Sequence, residues 1–180
     1  MNFKEARDLL VAGNAKQNYS ETYQFTQYFA GKFISYVVEI GMGKGGVCAL
    51  FKKVFPTSRV IGVDILPIDE PTKYLSEKVG FDYVVGDSHK EETLNTVLEK
   101  LGTNKIDILF IDGDHTYEGL KRDWELWSPK AKYVAIHDIY TQMEGIDVPR
   151  FWKEIIKKYK NHKEWGEPKR EGIGLLWNLI

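Results

Sequence analysis

The sequence has little cysteine and no excess of basic residues. Cys48 is the only cysteine among 180 residues, which excludes an internal disulfide and a cysteine-based zinc site. The 25 Lys and Arg residues nearly balance the 26 Asp and Glu residues, and the formal net charge is −1. Domains that bind nucleic acid normally show a basic excess, so we expect no nucleic-acid partner.

Long apolar runs are also missing. No stretch approaches the roughly 18 apolar residues of a membrane-spanning helix, so we expect no membrane partner. The opening residues, MNFKEARD, are interrupted by charge where a signal peptide has an apolar core. These absences predict a cytoplasmic protein. The chain is long enough to bury roughly two thirds of its unfolded surface in a globular core.

Short apolar runs rich in β-branched residues predict five strands. They are Tyr36–Ile40, Arg59–Asp64, Tyr83–Val85, Ile106–Asp112 and Tyr133–Asp138. Because these runs are mostly apolar rather than alternating, they indicate strands that are covered on both faces. Apolar stripes at helical spacing lie between them. This alternation predicts a doubly wound α/β fold with a mainly parallel, Rossmann-like sheet and helices on both faces.

The two ends of the chain depart from this alternation. Runs near His162–Trp165 and at GIGLLW, residues 172–177, follow each other without an intervening helix and predict an antiparallel pair at the C-terminal edge of the sheet. Residues 1–35 look helical and precede the first strand. We therefore expect an N-terminal segment, residues 1–35, that serves as a lid or a subunit contact, followed by a domain over residues 36–180. A homo-oligomer is left open.

An acid lies at or beside the end of each of the five parallel strands. These acids are Glu39, Asp64, Asp87, Asp112 and Asp138. The carboxyl ends of the strands meet at the edge of an open α/β sheet where ligands bind. Any one acid could simply cap the helix that follows it. All five at equivalent positions favour a ligand site.

A glycine-rich turn, EIGMGKGG, follows the first strand and has G-x-G-x-x-G spacing at positions 41, 43 and 46. Such turns let the backbone approach a ligand at a helix N-terminus. A nicotinamide dinucleotide would fit this pattern, with Asp64 on its ribose. Glu39, two residues before the first glycine, instead favours a ligand with positive charge, such as S-adenosylmethionine. Asp87 and Ser88 could then hold the adenine.

These motifs, together with IDGDHTYEG at residues 111–119, give the chain a likeness to a known family. From about Val37 to Trp177 it resembles class I S-adenosylmethionine-dependent methyltransferases, and among them the small O-methyltransferases related to cephalosporin hydroxylase-type and sugar O-methyltransferases. The matching pieces are VEIGMGKGGVCALF, VIGVDI, VVGDSHKEE, IDILFIDGDHTYEGLKRD, YVAIHDI and GIGLLW. The resemblance implies methyl transfer to a hydroxyl of a small-molecule acceptor.

The resemblance also implies roles for particular residues. S-adenosylmethionine would be bound by Glu39, Gly41, Gly43, Gly45, Asp64, Ile65, Asp87 and Ser88. Asp112 and Asp138 would bind a divalent cation such as Mg²⁺, as in metal-dependent relatives. Catechol-type relatives carry Asp-Asn after the fifth strand, where this chain has His137-Asp138. The third protein ligand, and the cation itself, therefore stay open.

Two devices for activating a hydroxyl are present, and they make Asp112 and His115 the expected catalytic residues. A cation on Asp112 and Asp138 could lower the pKa of the hydroxyl. His115 could instead take its proton as a general base, or it could be structural. His137, inside an apolar strand, is expected in the core. Further along, Lys121, Arg122 and Asp123 are expected on a solvated helix face.

Two other functions remain compatible with the sequence. One is an NAD(P)-dependent oxidoreductase that uses the same glycine-rich turn. The other is a binding module that keeps the S-adenosylmethionine pocket without catalysis. Binding titrations with S-adenosylmethionine and with NAD(H) distinguish an oxidoreductase from a methyltransferase. A measurement of turnover distinguishes a binding module from an enzyme.

Overall fold

The computed structural model describes residues 2–13, 15 and 17–179. Within these residues, seven strands form one sheet in the order β3-β2-β1-β4-β5-β7-β6. The strands are β1 (Tyr36–Ile40), β2 (Arg59–Asp64), β3 (Asp82–Val85), β4 (Ile106–Ile111), β5 (Ala131–His137), β6 (His162–Trp165) and β7 (Ile173–Trp177). Strands β1 to β5 pair in parallel, and β7 is antiparallel to both β5 and β6. The predicted doubly wound sheet with an antiparallel C-terminal pair is confirmed.

Helices cover both faces of this sheet. They are α1 (Phe3–Ala12), α2 (Tyr19–Gln27), α3 (Gly46–Val54), α4 (Glu70–Val79), α5 (Glu91–Leu101), α6 (Tyr117–Trp127) and α7 (Val148–Ile155), with a short 3₁₀ turn at Ser128–Lys130. Side chains of α5, α6 and α7 contribute to the core on one face, and those of α1, α2 and α3 to the core on the other.

Alternate residues of the central strands supply the two cores. In β4, Leu109 and Ile111 belong to the core under α5 to α7, whereas Ile108 and Phe110 belong to the core under α1 to α3. All four are almost completely buried. Because neither face of the segment formed by residues 108–111 meets water, its sequence is continuously apolar rather than alternating.

The helix that follows the glycine-rich turn begins without a side-chain cap. Gly45 occupies the cap position of α3 with φ 77° and offers no side chain to the first backbone amides. By contrast, Thr116 accepts a hydrogen bond from the Gly119 amide at the start of α6 (3.1 Å). The first N–H groups of α3 are therefore left for water or a ligand.

The N-terminal helices pack into the fold. The rings of Phe25 and Phe29 are fully buried, and Phe25 lies 5.7 Å from Phe110 and 5.4 Å from Trp165, measured between ring centroids. Phe33, in contrast, is 87% exposed. No helix in the described parts of the chain is long and apolar enough to span a membrane.

Candidate active site

A cavity of about 650 Å³ opens at the carboxyl ends of β1, β2, β4 and β5. The strand order reverses between β1 and β4. From β1 the chain continues to β2 and β3 on one side, and from β4 it continues to β5 on the other side. Such a switch point leaves a crevice, because the connections on its two sides lead away from each other. The cavity therefore lies where the sequence predicted a ligand site.

Gly41 brings two loops of the cavity into contact. Its φ is 80°, and a Cβ atom at this position would lie 2.1 Å from the backbone oxygen of Asp112. Only glycine fits this conformation without strain or a clash. Next to it, the Gly43 amide donates a hydrogen bond to Asp64 Oδ2 (2.9 Å), and the Leu66 amide donates to Asp64 Oδ1 (2.9 Å). The glycine-rich turn is thus tied to the end of β2 and pressed against the end of β4.

Glu39 presents a buried carboxyl group to this cavity. The residue is 1% exposed, and its Oε2 atom has no hydrogen-bond partner in the described part of the chain. Burial raises the pKa of Glu39 well above its usual range, and the charges of Asp112 and Asp64 raise it further. A positively charged ligand group would favour the ionised carboxylate here, because it would offset the cost of burying the charge.

Two carboxylates and two imidazoles also converge in the wall of this cavity. His115 Nε2 lies 3.2 Å from Asp112 Oδ1 and 3.1 Å from Asp138 Oδ2. His137 Nδ1 lies 3.1 Å from Asp112 Oδ1 and 3.5 Å from Asp138 Oδ1. Asp138 has φ 63°, a left-handed conformation that residues other than glycine rarely adopt. Strained residues of this kind cluster at functional sites.

The charges of this cluster offset one another. Hydrogen bonds to Asp112 and Asp138 raise the pKa of His115 to about 10. Burial alone would lower the pKa of His137, but Asp112 raises it to about 9. Burial alone would likewise raise the pKa of Asp112, yet the two imidazoles hold it well below its usual range. The carboxylates thus favour the protonated form of the imidazoles when no cation is present.

The same cluster offers a donor set that fits a divalent cation. Among the described residues, one ligand atom each from Asp112, His115 and Asp138 lies within 4.8 Å of the other two. Carboxylate oxygens and imidazole nitrogens are common ligands of divalent ions in proteins. Asp112 and His115 can thus act on a ligand either through a bound cation or as a charged hydrogen-bonding pair.

The cavity collects some of the predicted site residues and leaves others outside its wall. Its lining includes Glu39, Gly41, Gly43, Asp64, Asp112, His115 and Asp138, whereas Gly45, Ile65, Asp87 and Ser88 are not part of it. Ile65 is 66% exposed. Asp87 Oδ1 accepts from the His89 amide (2.9 Å), and the Ser88 carbonyl accepts from the Trp127 indole (2.8 Å). In this structure the loop after β3 therefore lies beside the cavity.

Sequence reasoning missed Gln17. Its side-chain amide donates a hydrogen bond to Asp112 Oδ2 (2.5 Å), and the residue is only 9% exposed. Gln17 Oε1 has no hydrogen-bond partner in the part of the chain that the structure describes. The residue lies in the N-terminal segment, where no motif marked it. His137 is buried as expected, but its ring also reaches the cavity wall.

The expected position of Asp123 on a solvated helix face is wrong. Asp123 is fully buried, because positions 120, 123, 124 and 127 share one side of α6. Neither carboxylate oxygen has a hydrogen-bond partner within the described ranges, and His89 Nε2 lies 3.7 Å from Oδ1. Burial raises the pKa of Asp123 to about 6. Asp123 has the same helical spacing as the buried Leu120, Trp124 and Trp127, so its burial could have been predicted from its position despite its charge.

Comparison with known proteins gives both a family and a fold. A family model described as a methyltransferase domain matches residues 38–139. An uncharacterized protein of Sinorhizobium fredii is 30% identical over 91 residues, which are 48% of this chain and 10% of that protein. The chain thus spans about a tenth of the length of this relative.

Two solved structures share most of the architecture. The O-methyltransferase from Bacillus cereus, in complex with SAH, is 13% identical with a TM-score of 0.64 and is matched over 98% of this chain and 90% of its own. The O-methyltransferase TomG from Streptomyces achromogenes, in complex with SAM, is 14% identical with a TM-score of 0.65, over 97% and 88%. At these identities the likeness is one of fold.

Proposed function

This chain belongs to the methyltransferase-domain family, and on that premise we propose that it transfers a methyl group from S-adenosylmethionine to a hydroxyl of a small molecule. One observation carries the proposal. A single cavity is lined by the glycine-rich turn and the buried Glu39 carboxyl and also by the cluster of Asp112, His115 and Asp138. The solved structures of similar fold are O-methyltransferases in complex with SAM or SAH, which supports the same donor.

The donor would occupy the end of the cavity formed by β1 and β2. Asp64 already receives two backbone amides, and its remaining acceptor capacity suits the ribose hydroxyls. Gly41, Gly43 and Gly45 would let the methionine portion approach the backbone, and Glu39 would face its positive charge. Ile65, Asp87 and Ser88 would surround the adenine. These residues do not line the cavity, so the adenine would extend out of it towards the loop after β3.

The acceptor would lie against Asp112, His115 and Asp138. Its hydroxyl oxygen attacks the methyl carbon, the carbon–sulfur bond breaks with its electrons passing to sulfur, and the hydroxyl proton leaves to water or a carboxylate. A divalent cation, when bound by Asp112 and Asp138, would supply charge that lowers the pKa of the hydroxyl. His115 would supply positive charge in its absence. Its two carboxylate neighbours raise its pKa and so favour its protonated form, which suits it better to supplying charge than to accepting the proton.

We also propose that residues 1–35 cover the site of a domain spanning residues 36–180. Gly13, Ala15 and Gln17 line the cavity. A Cβ atom on Gly13 would lie 2.1 Å from the Gly46 Cα, so this segment is in close contact with the start of α3. The buried Phe25 and Phe29 serve the core of this chain, whereas Phe33 (87% exposed) and Phe3 (43% exposed) are available for a subunit contact.

Calorimetric titration tests the donor. We expect S-adenosylmethionine and S-adenosylhomocysteine each to bind at one site, and NAD⁺ and NADH not to bind. A pyrophosphate would approach the Glu39 carboxyl, whereas a sulfonium or ammonium would be attracted to it. Binding of NADH without binding of S-adenosylmethionine would overturn the proposal in favour of an oxidoreductase. Tight donor binding with no transfer to any acceptor in a broad hydroxyl screen would indicate a binding module.

A further inference from the structure

The cation-binding cluster contains a nitrogen donor in a central position. His115 Nε2 is almost equally distant from the two carboxylates, at 3.2 Å from Asp112 Oδ1 and 3.1 Å from Asp138 Oδ2. Two ligands that meet at a right angle on an ion, with bonds of roughly 2.1–2.2 Å, lie about 3.0–3.1 Å apart. The two distances from His115 Nε2 therefore match those between neighbouring ligands of an octahedral ion, and the three ligand atoms all lie within 4.8 Å of one another.

Nitrogen changes which ion such a site prefers. Mg²⁺ selects oxygen ligands and gives up its water reluctantly, whereas imidazole suits the first-row transition ions. We infer that Asp112, His115 and Asp138 together form a site for a divalent transition ion, such as Mn²⁺, Co²⁺ or Zn²⁺, in preference to Mg²⁺. This inference rests on the proposed function, because it names the ion that would serve the acceptor end of the cavity.

Surrounding structure holds the two carboxylate ligands in place. The Gln17 amide occupies Asp112 Oδ2, which leaves Oδ1 directed at the two imidazoles. Asp138 is fixed by its left-handed backbone, and its side chain is mostly buried. Partners of this kind orient metal ligands and typically change affinity by 10- to 100-fold when removed. The third ligand that the Asp-Asn pattern would have supplied is thus replaced by His115.

The test uses the full chain after treatment with chelator and dialysis. Calorimetry with MgCl₂, MnCl₂ and CoCl₂ should give one site, with Co²⁺ bound at least about tenfold more tightly than Mg²⁺. His115→Gln places an oxygen near the position of Nε2. We expect it to weaken Co²⁺ binding at least about tenfold, to leave Mg²⁺ binding unchanged or stronger, and to shift the visible absorption of bound Co²⁺.

His162→Gln is the matched control, because His162 is exposed on β6 and far from the cluster in sequence. It should change neither affinity nor the absorption spectrum. Equal affinity for Mg²⁺ and Co²⁺, no binding of any ion, or an unchanged Co²⁺ spectrum in a folded His115→Gln protein would overturn the inference. So would loss of Co²⁺ binding on His137→Gln but not on His115→Gln, which would make His137 the nitrogen ligand.

Donor titration of the same preparations separates the two proposals. If S-adenosylmethionine binds but the ions are not discriminated, the assignment of His115 fails and the proposed methyl transfer stands. If the ions are discriminated but S-adenosylmethionine does not bind, the proposed function fails while the ion site stands.

Discussion

Replacing Asp123 with asparagine should stabilise the protein at neutral pH. Asp123 is fully buried on α6, and its two oxygens lack hydrogen-bond partners in the described segments. Burial favours the protonated form of this carboxyl group, since ionisation in a poorly solvated site is costly, and His89 at 3.7 Å offsets this cost only in part. Asparagine has nearly the same shape and cannot ionise. The variant therefore removes the charge while it keeps the packing.

The size of this stabilisation follows from the pKa of Asp123 in the folded and in the unfolded protein. Burial raises the pKa of Asp123 from 3.8 to about 6, and each pKa unit corresponds to about 1.36 kcal/mol. The folded state thus binds the proton more tightly than the unfolded state. Above about pH 6 the folded protein carries a penalty of roughly 3 kcal/mol, which disappears as the pH falls towards 4. The new amide group also needs partners, so we expect a net gain of about 1–2 kcal/mol at pH 7.

Urea unfolding of both proteins between pH 4 and pH 8 measures this difference. The free energy of unfolding of the wild type should fall as the pH rises from 4 to 6, and this fall should be smaller in Asp123→Asn. The buried Glu39, whose pKa is also raised, contributes a fall of the same sign in both proteins. Asp82→Asn, at an exposed position on β3, is the matched control and should leave the profile unchanged. A variant that is less stable at pH 7 and keeps the wild-type pH dependence would refute the reasoning.

Three further changes probe the cavity. Asp64→Ala should weaken binding of S-adenosylmethionine by about 1–3 kcal/mol in calorimetry, because polar groups of the ligand lose their partner; unchanged affinity would remove Asp64 from the donor site. Gly41→Ala should lower the free energy of unfolding by more than the roughly 1 kcal/mol of a strained backbone alone, since its Cβ would meet Asp112. Gly31→Ala, with a similar φ and nothing within 4 Å, is the control for that strain, and equal losses would argue against the clash. Asp138→Asn should leave donor affinity nearly intact and abolish turnover of a hydroxyl acceptor once one is known; normal turnover would exclude a required role for this carboxylate.

The fold was predictable because local patterns agree with the sheet that they build. In β4, every residue from Ile108 to Ile111 is buried, and a continuous apolar run is the pattern expected of a strand covered on both faces. The acids at the strand ends could be aligned by their spacing alone. Asp123 shows the limit of reading charge as exposure, since its position on the buried stripe of α6 decides its environment.

Other parts of the candidate site depend on contacts that sequence spacing does not record. Gln17 donates to Asp112 across a separation of 95 positions, and no periodic pattern links the two. His137 lies in an apolar strand, which predicts burial correctly but does not tell which way its ring nitrogens point. The role of His115 depends on its distances to two carboxylates. Such distances follow only from the three-dimensional course of the loops after β4 and β5.

The burial of α2 against the other end of the chain has a consequence for synthesis on the ribosome. Glu21 Oε2 accepts a hydrogen bond from the Gly172 amide, 151 positions later, and Phe25 packs on Trp165. At about 5–20 residues per second, the first partner is made roughly 8–30 s before the second. During that interval the apolar side of α2 has no strands β6 and β7 to cover it. This corner of the protein therefore cannot be completed until the end of the chain is made, and a nascent chain stalled before Trp165 would leave Phe25 without that contact.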